Sequence, residues 1–385
     1  MAPRMKCVMF AFVCAVVLLI WQALTVRYSY GGNWTGLFCT GSRLTQPAAL
    51  ESERIYLFRD SFGYDGQFYH YMAHDPFFTR SFAASIDAPR VRCRRILVSG
   101  LAFVLALGRD RAIDAAYILV AAAFIFLGSY WLSRLAVLRG YSPALGLAFA
   151  AVPAVLVSVD RLTVDVALAA CCVGFALYIQ EESPHKLYFV LLAAALTRET
   201  GLFLCGAYVI YLVGSRRLGS AMVMSTSVIP TLCWYFFVQR HTQPVNFGVT
   251  TWALFSGFVQ RVFHPFPYPL PPAVAATARG LDLLALAGIG GSLLWCFRRA
   301  SQRAWTPVMV CSYLFALLAI TLEAGEPWVD VYAFGRTLSP LLVFAGLDGM
   351  MAASWMPLLA MFALDPRTVL QVAPQVLNII RGITG

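Results

Sequence analysis

The sequence predicts an all-α, polytopic integral membrane protein, and three observations predict it. Sixty per cent of the 385 residues are apolar, 12% are charged and the mean hydropathy is +0.71. An ordinary soluble domain is about half apolar and about a quarter charged. Several apolar segments approach or exceed the ~18–20 residues that cross a bilayer. The basic residues, all arginine except Lys6 and Lys186, fall mainly between those segments, where the positive-inside rule and anionic lipid account for them. The net charge of +10 is therefore no sign of nucleic acid, and no such partner is expected. A soluble enzyme, a disordered tail and a fibrous repeat are excluded. Residues 1–385 read as a single transmembrane domain.

Residues 7–26 follow the basic start Met1–Lys6 and form the first span. The segment resembles a signal peptide, but no small-x-small cleavage site follows. The helix is expected to remain, with the N-terminus in the cytoplasm. Residues 27–94 then form a long first extracytoplasmic loop with short helices, polar and aromatic, carrying Asp60, Asp65, Asp75 and Asp87. Arg90, Arg92, Arg94 and Arg95 precede the apolar run Ile96–Gly108, too short to span and suited to a re-entrant or interfacial helix.

Residues 112–133 form the second full span, with Arg134 and Arg139 at its inner end. Residues 143–179 and 187–214 are too long for one crossing each, since a 28-residue helix runs about 42 Å at ~1.5 Å per residue. Charge interrupts both, at Asp160-Arg161 and Asp165, and at Thr197-Arg198-Glu199. Two hairpins with outward-facing breaks are expected.

Residues 219–238 cross outward to a second extracytoplasmic loop, residues 239–280. Its run His264–Pro272 is too proline-rich for regular helix. Residues 281–297 cross back, 305–322 cross outward, 323–336 form a short outer loop and 337–353 return. Residues 354–364 have the apolarity for one more helix. About ten crossings result. The stretch Ala287–Gly291 lies inside a span with no strand before it, so close helix packing explains its glycines better than a dinucleotide.

Ten cysteines give no framework. Most lie in apolar segments (Cys14, Cys171, Cys172, Cys205, Cys233, Cys311) as small hydrophobes, and there is no CxxC. Only Cys39 and Cys93 fall in the outer loop, where a disulfide between them is one option.

Charged groups at membrane depth are costly and mark cavities or pathways. Here Asp65, the Asp160/Asp165 break, Arg198-Glu199 and Arg336 all fall on one expected face. Any one of them alone reads as a helix cap or a paired charge; together they read as a cavity. The densest block is GYDGQFYHYMAHDP, residues 63–76. Asp65 is expected to cap a short helix that Pro76 ends. The aromatics suggest a surface for membrane or sugar rings. His70 and His74 stand at i and i+4, a spacing that can hold a metal. No third ligand is evident, so no metal or other cofactor is expected, and a divalent ion is not favoured.

That block, with Arg94-Arg95-Ile96-Leu97, Leu196-Thr197-Arg198-Glu199-Thr200-Gly201 and Gly335-Arg336-Thr337-Leu338-Ser339-Pro340, resembles a group of bacterial polytopic proteins associated with cell-surface glycopolymer formation. Its layout over residues 5–350 is similar to the GT-C superfamily of membrane glycosyltransferases. The resemblance implies a polyprenyl-phosphate sugar donor used on the extracytoplasmic face of the bacterial inner membrane, with a glycan, lipid or protein acceptor. It implies an aspartate base in the first outer loop, best matched by Asp65, with Asp60 in reserve. It also implies a second acidic position, matched by Asp160 or Asp165, and a phosphate site, matched by the Thr-Arg-Glu block. Asp65 stands far beyond the end of the first span, whereas the superfamily's aspartate follows that span closely.

The chemistry is consistent. The acceptor hydroxyl loses its proton to a carboxylate as it attacks, and fixed arginines, Arg198 and Arg336, hold the leaving phosphate. A single displacement inverts the anomeric centre. Glu199, Asp165, Gln67, Tyr69 and His70 are expected to support the site. A transporter or flippase of a lipid-linked glycan also carries broken helices and intramembrane charge, although no repeat is visible. A non-catalytic subunit of a surface-polysaccharide system is the third alternative.

Overall fold

Proline sets the beginning of many of the helices. It stands at the first or second position of α1 (Pro3–Ser29) and of many of the later helices whose ranges follow, where its missing N–H costs nothing and its fixed φ suits the helix. The computed structural model describes residues 2–50, 53–244 and 248–384. Residues 51–52 and 245–247, inside the two expected outer loops, lie outside that description.

After α1 the chain forms the 3-10 turn Trp34–Phe38 and two short parallel strands, β1 (Thr40–Gly41) and β2 (Leu57–Phe58), with Thr40 opposite Leu57. Four helices follow: α2 (Asp65–His74), α3 (Pro89–Arg92), α4 (Leu97–Leu105) and α5 (Asp110–Leu138). The 3-10 segment Pro143–Ala151 leads into α6 (Pro153–Arg161), then α7 (Asp165–Gln180), α8 (Pro184–Thr197) and α9 (Leu202–Gly214). Next come α10 (Leu218–Ser225), α11 (Ile229–His241), α12 (Ser256–Phe263), α13 (Pro272–Ser301), α14 (Pro307–Thr321) and α15 (Val331–Met351). The chain ends in α16 (Met356–Phe362), α17 (Asp365–Gln371) and α18 (Ala373–Thr384).

Among the described residues, four helical stretches are long and apolar enough to cross a membrane: Pro3–Ser29, Asp110–Leu138, Leu218–His241 and Pro272–Ser301. A fifth arises if Pro143–Ala151 and Pro153–Arg161, bent by 60°, count as one. The chain is thus all-α with the helices of a membrane protein. Four shorter apolar helices, Asp165–Gln180, Pro184–Thr197, Glu199–Gly214 and Pro307–Thr321, are the limbs of the expected hairpins and of the 305–322 segment.

Each break has a local cause. Between α6 and α7, Leu162 takes a left-handed backbone (φ 43°). The Ser158 hydroxyl meets the Thr163 hydroxyl at 2.9 Å and accepts the Val166 N–H at 3.0 Å, so the new helix start is satisfied by the old helix end. Between α8 and α9, Arg198 is extended, and a Cβ on Gly201 would lie 1.8 Å from the Ala194 carbonyl oxygen. Only glycine allows the chain to fold back that closely. The bend at Val152-Pro153 was not expected from the charge pattern; it is a proline break.

Packing uses small residues. On α1 the side buried against α5 and the 143–151 segment carries Cys7, Ala11, Cys14, Ala15 and Leu18, while Phe12, Val17 and Ile20 stay exposed, the pattern of a helix with one protein face and one lipid face. Within the run Ala287–Gly291, a Cβ on Gly288 would sit 2.2 Å from the Ala360 carbonyl oxygen of α16, in agreement with its reading as a packing element.

Buried charge is knotted. Asp282 of α13 receives Arg261 at 2.6 Å, Arg367 at 2.9 Å and the Tyr268 hydroxyl at 2.6 Å, which ties the proline-rich loop to the helix. The polar end of α5 pairs Arg134 with Glu181 of the α7–α8 turn, beside Lys186.

Several boundaries differ from expectation. Helix α13 begins at Pro272, inside the expected loop 239–280, and α15 begins at Val331, so Arg336 is helical rather than in a loop. All ten cysteines are free: Cys39 accepts from the Arg161 guanidinium and Cys93 lies in a separate apolar cluster under α2.

Gly201→Ala should lower the thermal midpoint of the detergent-solubilised protein, by the equivalent of about 1–3 kcal/mol of overpacking. Gly206→Ala, where a Cβ meets nothing within 4 Å, should leave it unchanged. Equal midpoints for both variants would remove the close-approach account of the α8–α9 break.

Candidate functional site: an arginine-lined cavity over the helix breaks

Helix α2 is a loop helix buried on every side, all ten residues included. Its aromatics therefore do not form a docking surface: Phe68, Tyr69 and Tyr71 are core. A Cβ on Gly66 would meet the Arg161 carbonyl oxygen at 2.1 Å, so α2 rests directly on the end of α6. Asp65 opens the helix but does not cap it, since no side-chain cap bond forms at its N-terminus. Its carboxylate is taken by stronger partners. Arg336 donates from Nη1 to Oδ2 at 2.7 Å, and Nη1 of Arg92 lies 2.7 Å from the same oxygen.

Around this pair the chain assembles a cavity of about 340 Å³, lined by Tyr64, Asp65, Arg92, Arg95, Arg198 and Arg336 together with Val249, Leu322, Glu326, Asp330 and Thr337. Arg198, at the α8–α9 break, pairs with Asp165, which begins α7. Arg336 lies 3.6 Å from the same aspartate. Arg95 donates to Glu199 at 3.1 Å and to the Tyr69 hydroxyl at 2.8 Å. Arg336 also stacks over the Tyr64 ring, 5.0 Å from its centroid. Asp330 caps α15 by accepting the Ala333 N–H at 2.9 Å, and Glu326 occupies the exposed edge. Residues 249–255 strap the cavity by backbone bonds to 320–323.

Burial alone would raise the Asp65 carboxyl. Arg336 and then Arg92 overcome it and hold the group well below the ordinary carboxylate range, because opposite charges at this distance favour ionisation more than desolvation opposes it. Tyr64, by contrast, is pushed up by burial, with Arg336 opposing, and remains a neutral phenol. Buried polar atoms at the site that make no hydrogen bond include Asp165 Oδ2, Glu199 Oε1 and Arg336 Nε.

The expected residues divide. Asp65, Asp165, Arg198, Glu199, Arg336 and Tyr69 converge. Asp60 does not: it is exposed, in a left-handed turn (φ 53°), with its N–H on the Ser42 hydroxyl at 3.0 Å. Asp160 is fully committed elsewhere, to Arg161 at 3.0 Å, the Tyr332 hydroxyl at 2.9 Å and Gln375 at 3.1 Å. It lines an apolar groove of about 300 Å³ with Val17, Trp21, Leu156 and Tyr332. Gln67 is a brace, accepting from Gly41 N–H at 3.1 Å and donating to the Phe62 carbonyl at 2.8 Å. His70 faces away, toward Asp114.

Arg92 and Arg95 are the site residues that sequence reasoning did not single out. In sequence the four arginines of 90–95 only precede an apolar run, and in the fold only part of them turns inward. Arg90 donates to the Gln239 and Thr242 carbonyls at 3.2 and 2.6 Å, and Arg94 stacks on Tyr235 at 4.9 Å.

Comparison of the chain with protein families, with curated proteins and with solved structures finds no match.

A sign follows for pH. A carboxylate with a depressed folded-state pKa stabilises fully above its unfolded value near ~3.9, and the contribution is lost as pH falls through the folded value. Asp65→Asn leaves two buried guanidinium groups short of charge and should cost about 3 kcal/mol. The gap in thermal midpoint between wild type and variant should be flat from about pH 8 to 5 and close below about pH 4. A gap that instead opens on acidification would show that Asp65 is not ionised in the folded protein.

Proposed function

We propose that this chain is a membrane glycosyltransferase of GT-C-like layout. It crosses the bacterial inner membrane about ten times with its N-terminus in the cytoplasm, and works at the extracytoplasmic face in forming a cell-envelope glycopolymer. Its donor is a polyprenyl-phosphate sugar, and its acceptor is a glycan, lipid or protein hydroxyl. The observation that carries the reading is the adjacency of two unlike chambers on α15: Tyr332 lines the apolar groove, and Arg336, one turn on, lines the arginine cavity. Tyr64 and Tyr332, edge to face at 6.2 Å, form the partition. An amphiphile with a phosphate between a sugar and an apolar tail suits that arrangement.

In this reading the acceptor oxygen attacks the anomeric carbon while the carbon–oxygen bond to phosphate breaks, and the configuration inverts. Arg92, Arg198 and Arg336 hold the leaving phosphate. A phosphate that draws Arg336 and Arg92 toward itself withdraws the charges that depress Asp65, and the carboxylate becomes basic enough to receive the acceptor proton. Glu326 and Asp330 are placed to accept from sugar hydroxyls. Asp160 supports the groove rather than the chemistry.

The test is sugar transfer by purified protein in lipid, across a panel of polyprenyl-phosphate sugars. Wild type should transfer. Asp65→Asn should lose about 10²–10⁴-fold in turnover, as expected for a lost general base, while retaining donor binding. Arg336→Ala should raise the donor KM. Undiminished transfer by Asp65→Asn would remove Asp65 as the base. Donor bound without transfer, but moved across the bilayer, would replace an enzyme by a transporter.

A further inference from the structure

We propose that Glu53, His70, His74 and Asp114 form a binding site for one divalent transition-metal ion of the zinc class, separate from the arginine cavity and independent of the glycosyl-transfer reading.

The geometry comes first. His70 and His74 lie on one face of α2, and their Nε2 atoms are 3.1 Å apart. Asp114, near the start of α5, places Oδ1 2.7 Å from His70 Nε2, and Glu53 places Oε2 3.8 Å from His74 Nε2. The ligand atoms of Glu53, His70 and His74 all lie within 4.8 Å of one another. Tetrahedral zinc with bonds of ~2.0–2.2 Å sets its ligands about 3.3 Å apart, so small side-chain shifts complete the shell.

Protons and charge point the same way. His74 Nδ1 engages Asp110 at 2.8 Å, so Nδ1 carries the hydrogen and Nε2 presents a lone pair to the cluster. Asp110 is itself gripped by both Nη atoms of Arg80, at 2.8 and 2.9 Å. This is the carboxylate–histidine–metal relay that orients a ligating imidazole. His70 Nε2 then faces the lone pair of His74 and the carboxylate of Asp114 together, and one N–H serves only one of them. Arg80 meets the charge of Asp110, but among the described residues Glu53 and Asp114 have no ion-pair partner except these imidazoles. A dication matches their two negative charges. The imidazoles are fully buried, whereas the side chains of Glu53 and Asp114 are 24% and 30% exposed, so an ion enters from the carboxylate side. Two imidazoles with two carboxylates select zinc-like ions over calcium or magnesium.

The consequence is mechanical. The ion joins the segment before α2, the C-terminal half of α2 and the start of α5, and so fixes the helix that carries Asp65 at its other end.

The experiment uses the full chain purified in detergent, with Zn²⁺ content measured after desalting and Co²⁺ titrated spectroscopically. Wild type should hold about one equivalent per chain. His74→Ala and Glu53→Gln should lose it, and Asp110→Asn, which changes the orienting partner and leaves every ligand in place, should bind about 10-fold more weakly. His185→Ala should bind as wild type. If the alanine variant fails to fold, the wild-type Co²⁺ spectrum still decides, because four-coordinate nitrogen and oxygen ligation gives intense visible bands and octahedral aqueous Co²⁺ does not. Wild type that retains no Zn²⁺ and shows no such bands overturns the proposal, as does equal binding by His74→Ala.

Discussion

One carboxylate oxygen organises the arginine-lined cavity and the segments around it. Oδ2 of Asp65 accepts two guanidinium groups, Arg92 from the segment before α4 and Arg336 from α15. Bringing two cations and an anion out of water is expensive, and the attraction offsets it only where geometry is good and the remaining donors find partners. The rest of the site supplies those partners. Asp165 takes Arg198 and approaches Arg336, Glu199 takes Arg95, and Tyr69 and Tyr64 receive what is left. Both helix breaks, at Leu162–Val164 and at Arg198, exist at the points where this network needs a charged residue to leave the apolar layer.

The same device recurs away from the site. Asp282 serves Arg261 and Arg367, and Asp348 serves Arg299 at 2.8 Å and the Trp295 indole at 3.0 Å. In each case an acid on a long helix gathers donors from neighbouring segments. Arginine suits the task because its planar fork reaches several acceptors and stays charged when buried. A chain with two lysines and many arginines thus has a structural use for the bias, beyond any topological one.

Much of this was legible in sequence, for physical reasons. Charge inside an apolar run has few outlets, so Asp165 and Arg198 announced helix breaks and convergence. The aromatic block with Asp65 announced a short helix. What the sequence did not show was which way a side chain turns. Asp60 and Asp65 look alike in a polar loop; only the left-handed turn at Asp60 separates them. Asp65 has the neighbours of an N-cap, but two arginines outcompete a backbone N–H. In the run Arg90–Arg95, Arg92 and Arg95 point inward while Arg90 and Arg94 hold α11, a partition that the spacing of the four arginines does not reveal. His70 and His74 lacked a visible third ligand because Glu53, Asp110 and Asp114 come from segments whose approach only tertiary structure fixes.

Asp65 and Arg336 are 271 residues apart in the chain. Contacts of such separation are paid for in loop closure before they return any stabilisation. A ribosome builds α2 long before it builds α15, and until α15 is made, the acid at the start of α2 has only Arg92 for company. The cavity is therefore completed only after most of the chain has been made. A chain stalled or cut before α15 would carry an electrostatically incomplete loop, with Asp65 lacking its Arg336 partner. Such a loop is the kind of local defect by which surveillance proteases tell an unfinished membrane protein from a finished one.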